Sequence, residues 1–170
     1  RRLLYAAATQ DSGEIKIIDV SDPLAPLLFS SFDLPDTGCG LSDKPDGSAL
    51  ALLGSYLYVG RGHSVGSCPT LPDLYMLDIT DPALPKPHAS GVAGGGVVGV
   101  HASGNSLFVY VSTLAKPSDT GLFDLSGDTA RLLQHSGKEL QVWNIGALDF
   151  SKRMTKPIGS DPLYILTSTL

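Results

Sequence analysis

A run of apolar, mostly β-branched residues, closed by an Asp or Asn and a proline turn, recurs along the chain. Glu14-Ile15-Lys16-Ile17-Ile18-Asp19-Val20-Ser21-Asp22-Pro23 returns as Leu74-Tyr75-Met76-Leu77-Asp78-Ile79-Thr80-Asp81-Pro82, and in weaker form as Leu140-Gln141-Val142-Trp143-Asn144-Ile145. Five or six such residues in a row predict a strand covered on both faces. Asp is depleted in strands, so Asp19 and Asp78 are expected to accept hydrogen bonds from N–H groups of the turn that follows. In that turn Pro23 and Pro82 preset φ, and Pro26 and Pro85 repeat three residues later.

A second element precedes the first. Gly54-Ser55-Tyr56-Leu57-Tyr58-Val59 matches Gly104-Asn105-Ser106-Leu107-Phe108-Val109, with partial copies at Leu4-Tyr5-Ala6 and Leu163-Tyr164-Ile165. Tyr5, Tyr58, Phe108 and Tyr164 are spaced by 53, 50 and 56 positions. The second period holds four strand candidates, Ala49–Leu53, Tyr56–Val59, Leu74–Ile79 and Lys86–Val92, and no segment of the chain has a sustained helical period. Periods of this size made wholly of strands predict an all-β chain, a β-propeller or propeller fragment of about three four-stranded antiparallel blades. The expected blades cover 1–48, 49–96 and 97–160, with 161–170 opening a further one. Three blades are fewer than a ring needs, and an open arc leaves apolar faces uncovered at both ends. Either the chain is a piece of something longer, as its start on Arg1 suggests, or chains complete the ring together through their open edges.

Ile15–Pro26, Leu74–Pro85 and Val97–Val111 together resemble the LVIVD-repeat β-propellers. The first half of that repeat is matched by Val98-Gly99-Val100-His101-Ala102-Ser103-Gly104-Asn105 followed by Leu107-Phe108-Val109, and the second half by Ile17-Ile18-Asp19-Val20-Ser21-Asp22-Pro23. The third unit departs from it, with Gly146-Ala147-Leu148 in place of the Ser/Thr-Asp-Pro turn. The resemblance implies a bacterial or archaeal secreted or cell-surface protein and assigns no activity. It also implies an oxidising exterior, where the two loop cysteines, Cys39 and Cys68, would form a disulfide; in a cytosolic protein they would be free thiols.

Composition adds exclusions. A net charge of −5, with basic residues adjacent only at Arg1-Arg2 and Lys152-Arg153, argues against a nucleic-acid partner. No apolar run reaches transmembrane length and no signal-peptide pattern is present. No cofactor is expected. Asp43-Lys44-Pro45-Asp46-Gly47 lacks calcium-loop spacing, and His63, His88, His101 and His135 lack paired ligand spacing. His101 is expected in a strand, the other three in exposed loops, and Trp143 in the core.

One motif carries possible chemistry. Gly62-His63-Ser64-Val65-Gly66 is a G-x-S-x-G, which in α/β-hydrolases exposes a nucleophilic serine on a strand-to-helix turn. Here Pro69 and Pro72 stand where the helix should grow, so Ser64 is expected not to be a nucleophile. Gly60-Arg61-Gly62 likewise lacks the helix that a dinucleotide fingerprint requires. The excursion between Ser112 and Lys138 is the longest connection, and Leu122–Asp128 within it has the makings of a hairpin. Asp119, Phe123 and Asp124 on it are the candidate binding residues. The expected function is a non-catalytic extracellular scaffold that binds a protein or glycan. The alternative is a hydrolase, acting through Ser64 or through a channel metal held by loop acids such as Asp11, Asp36, Asp43, Asp119 and Asp124.

Overall fold

The computed structural model describes residues 1–8, 13–35, 47–62, 72–93, 96–112, 123–124, 131–132, 138–146 and 150–158. Among them the chain is all β, with three antiparallel sheets following one another along the sequence. The first sheet orders β1 (Leu3–Ala7), β2 (Ile15–Asp19) and β3 (Leu27–Phe32). The second orders β4 (Gly47–Leu53), β5 (Tyr56–Arg61), β6 (Leu74–Asp78) and β7 (Lys86–Gly91). The third begins with β8 (Gly96–Ser103) and β9 (Ser106–Ser112). A two-stranded excursion of β10 (Phe123–Asp124) and β11 (Arg131–Leu132) intervenes before β12 (Lys138–Asn144) and β13 (Ser151–Ile158) complete it.

Three expectations need correction. The first sheet has three strands rather than four, because nothing among the described residues pairs with the outer side of β1. His88 lies in β7, not in a loop. The excursion hairpin closes on Arg131–Leu132, beyond Leu122–Asp128. No sheet closes on itself, and no helix among the described residues is long and apolar enough to cross a membrane.

The sheets match position by position. Asp19, Asp78 and Asn144 end β2, β6 and β12 opposite Leu3, Tyr56 and Ser106. Each then caps its own turn: Asp19 Oδ1 accepts the Ser21 N–H at 2.9 Å, Asp78 Oδ1 that of Thr80 at 2.8 Å and Asn144 Oδ1 that of Gly146 at 3.2 Å. The short Asx side chain replaces a ladder partner at the strand end, which is why it is tolerated there. The outer strands β3, β7 and β13 are bulged at the same place, after Ile17, Met76 and Val142. Two-residue turns join β4 to β5 and β8 to β9, with Gly54 and Gly104 at φ +60° and +52°, a conformation that favours glycine.

These caps make acid stability testable. The Ser21 hydroxyl, followed by its N–H, holds the Asp19 carboxyl below its ordinary pKa of 3.8, and Thr80 does the same for Asp78. A lowered folded-state pKa contributes stability that is fully present above the unfolded value and is lost as pH falls through the folded one. In Asp19→Asn/Asp78→Asn, the decline of the urea midpoint below about pH 4 should therefore become shallower. The fold should persist, because Asn144 already makes the same turn. An unchanged profile between pH 7 and 2.5 would contradict this role.

Two apolar layers lie between the sheets. Leu57, Val59, Leu77 and Ile79 face the first sheet, where they meet Ile15, Leu34, Tyr5 and Phe32. Their neighbours Tyr58, Leu74 and Met76 face the third sheet and meet Val97, Leu107, Val109 and Trp143. The second sheet is thus covered on both sides, which is why β5 and β6 read as unbroken apolar runs. Contact is close at Gly60, where a Cβ would overlap Val97, and at Gly91, where it would overlap the Trp143 ring.

Candidate functional site

Among the described residues the buried polar side chains are Glu14, Arg61, Asp73 and Gln141; the first three stand at corresponding ends of their sheets, and Gln141 lies in the middle of β12. Glu14 immediately precedes β2 and Asp73 immediately precedes β6. Glu14 Oε2 accepts the Leu34 N–H at 2.6 Å, and Asp73 Oδ1 accepts the Ala93 N–H. Each carboxylate therefore ties the segment leaving its sheet's last strand back to the entry of the strand before it, across the same sequence interval.

Arg61, the last residue of β5, reaches across to the first sheet. Its Nη2 donates to Glu14 Oε1 at 3.0 Å and to the Leu34 carbonyl at 3.3 Å; its Nη1 donates to the Pro35 carbonyl at 2.9 Å and to the Tyr75 hydroxyl at 3.2 Å. The guanidinium carbon lies 5.3 Å from the Tyr75 ring centroid, and Tyr75 in turn donates to the Pro72 carbonyl at 3.0 Å. Arg61 is 2% exposed and Glu14 3%, so the pair is desolvated and depends on these hydrogen bonds to offset that cost. Burial raises the Tyr75 pKa, and Arg61 only partly counters it. Gln141 makes the equivalent link one sheet on. Its Nε2 donates to the Ala93 carbonyl and to Glu139 Oε2 at 3.1 Å, while its Oε1 accepts the Trp143 indole N–H at 3.1 Å. At both joints, a polar side chain of one sheet holds the carbonyl of the segment leaving the sheet before it.

The same end of the molecule carries the three longest connections, 33–46, 62–73 and 113–137, together with 8–14 and 92–95. The opposite end is closed by the turns 20–26, 54–55, 79–85, 104–105 and 145–150. Asp11, Asp36, Asp43, Ser64, Asp119, His63, His135, Cys39 and Cys68 fall on connections of the first end and lie outside the described residues. Phe123 and Asp124 form β10, opposite Leu132 and Arg131. His101 stacks on Phe108 with centroids 6.3 Å apart, and His88 tilts against Tyr56 at 5.3 Å, so these two histidines belong to different sheets. Among the described residues, no group of three or more His, Cys, Asp or Glu is placed to hold a metal. Gly60-Arg61-Gly62 ends a strand and turns its arginine into the core.

Chemically, the Glu14–Arg61 arrangement is a brace. Its charges face each other and its remaining Nη hydrogen bonds go to the Leu34 and Pro35 carbonyls and the Tyr75 hydroxyl, so it fixes strand ends beneath the connections rather than offering a reactive group. Sequence reasoning missed it, although a signal was present: an acid stands five positions before each turn-capping residue, at Glu14, Asp73 and Glu139. No family model, curated protein or solved structure matches the chain.

Proposed function

We propose that the three sheets are successive blades of a β-propeller of the LVIVD-repeat kind. In this reading the chain is a non-catalytic, extracellular or cell-surface binding module for a protein or glycan partner. The observation that carries the reading is the gathering of the three longest connections, 33–46, 62–73 and 113–137, at one end, where Arg61, Glu14 and Gln141 tie each sheet to the segment leaving the one before. Binding residues concentrate on connections held by a rigid scaffold, and Asp119, Phe123 and Asp124 sit on the longest of them. An extracellular site also pairs Cys39 with Cys68, so titration of the unreduced, denatured protein finds no free thiol.

The test is a binding screen against glycans and extracellular proteins, using the wild-type chain and a variant with 113–137 replaced by a short Gly-Asn turn. A partner whose affinity falls at least about tenfold in the variant, with cooperative unfolding retained, supports the module. Stoichiometric fluorophosphonate labelling that disappears in Ser64→Ala would instead make the chain a serine hydrolase.

A further inference from the structure

The first sheet has a rear face built like a covered one and, among the described residues, left open. In the second sheet, Leu57, Val59 and Leu77 point back at the first and are 1%, 0% and 0% exposed. The shared register puts Leu4, Ala6 and Ile18 at the corresponding places of the first sheet, since Leu3 opposes Asp19 as Tyr56 opposes Asp78. There Leu4 is 50% exposed, and Leu28, paired with Ile18, is 64% exposed.

The third sheet has the reverse condition. Tyr58 and Met76 point forward from the second sheet into the third and are buried. Their counterparts Phe108 and Val142, cross-strand partners in the third sheet, are only half-buried.

We propose that these two faces form one interface between copies of this chain. The front of one copy's third sheet packs on the rear of another copy's first sheet, head to tail. The second copy is the occupant because this contact would continue the two already present. The first sheet's front covers the second with Tyr5, and the third sheet carries the half-buried Phe108 at that position. The contact is heterologous, so it closes into a ring when the rotation permits and grows into longer assemblies when it does not. It rests on the matching of the sheets and not on the connections binding anything, so failure of the binding screen leaves it standing.

Light scattering after size exclusion, over a range of concentrations, tests it. The wild-type chain should run at a multiple of its 17.8 kDa mass. Leu4→Glu, at a half-exposed position that carries little folding risk, should weaken association at least about tenfold, as should Phe108→Lys. His101→Glu, beside Phe108 on the same face, replaces the latter if its circular dichroism shows misfolding. A head-to-tail contact makes a further demand: an equimolar mixture of Leu4→Glu and Phe108→Lys keeps one intact pair of faces and should form a 1:1 complex. A wild-type chain that stays monomeric at every concentration overturns the proposal. So do single variants that self-associate like the wild type, or a mixture that stays monomeric.

Discussion

Arg61→Met is expected to lower stability by about 3–5 kcal/mol, read from urea unfolding, because it leaves Glu14 as a buried charge without its partner. The substitution keeps much of the side-chain volume, so packing loss is a minor part of the effect. It also strips donors from the carbonyls of Leu34 and Pro35 and from the Tyr75 hydroxyl. Glu14→Gln introduced on top should restore part of the loss: the amide removes the unpaired charge, and its oxygen still accepts the Leu34 N–H. The double variant should therefore be more stable than Arg61→Met alone, the reverse of additive damage. An Arg61→Met protein within about 1 kcal/mol of the wild type would show that water reaches the site and that the brace is not buried in solution.

Trp143→Ala should cost a similar amount, about 3–5 kcal/mol. The ring is 3% exposed, tilts against Phe150 with centroids 5.2 Å apart, and fills the space that Gly91 leaves by having no side chain. Truncation opens a cavity between the second and third sheets and removes the indole donor from Gln141 Oε1. The converse change, Gly91→Ala, drives a methyl into the ring and should cost about 1–3 kcal/mol. In Gly91→Ala/Trp143→Phe the smaller ring yields room, so the combined loss should be less than the sum of the single losses. Far-ultraviolet circular dichroism is the appropriate signal, since Trp143 is the only tryptophan. Additive losses would mean that the two residues do not share one space.

What could be read in the sequence divides along the same physical lines. β5 and β6 are legible because both of their faces are covered, so apolar residues run on without interruption, and β2 and β12, the corresponding central strands of the sheets on either side, repeat the same run. The turns at Gly54 and Gly104 are legible because the backbone conformation itself selects glycine. The outer strands β3 and β13 were not foreseen. Leu27–Phe32 and Ser151–Ile158 lie at sheet edges, where packing selects weakly and the pattern loses its period. His88 is expected in a loop although it falls within the strand candidate Lys86–Val92; it sits in an edge strand with Pro87 beside the bulge, where a missing N–H is tolerated. The brace was hidden for a different reason. Glu14 and Arg61 are 47 residues apart, and only the packing of one sheet on the next brings them together.

The order of strand pairing bears on how the chain reaches this structure. Neighbours in sequence are neighbours in every sheet, except where β12 passes the β10–β11 hairpin to join β9. Most pairings therefore close short loops, and little chain entropy is lost before contacts begin to compensate. During synthesis, β1 to β3 and the Glu14–Leu34 tie lie wholly in residues that emerge before Gly47, so the first sheet has its own closure while the second is still being made. Arg61 then arrives late, at the end of β5, and finds both Glu14 and the Leu34 carbonyl already placed. Such a chain is suited to folding from its N-terminal side, sheet by sheet, with each new strand pair forming on a finished surface.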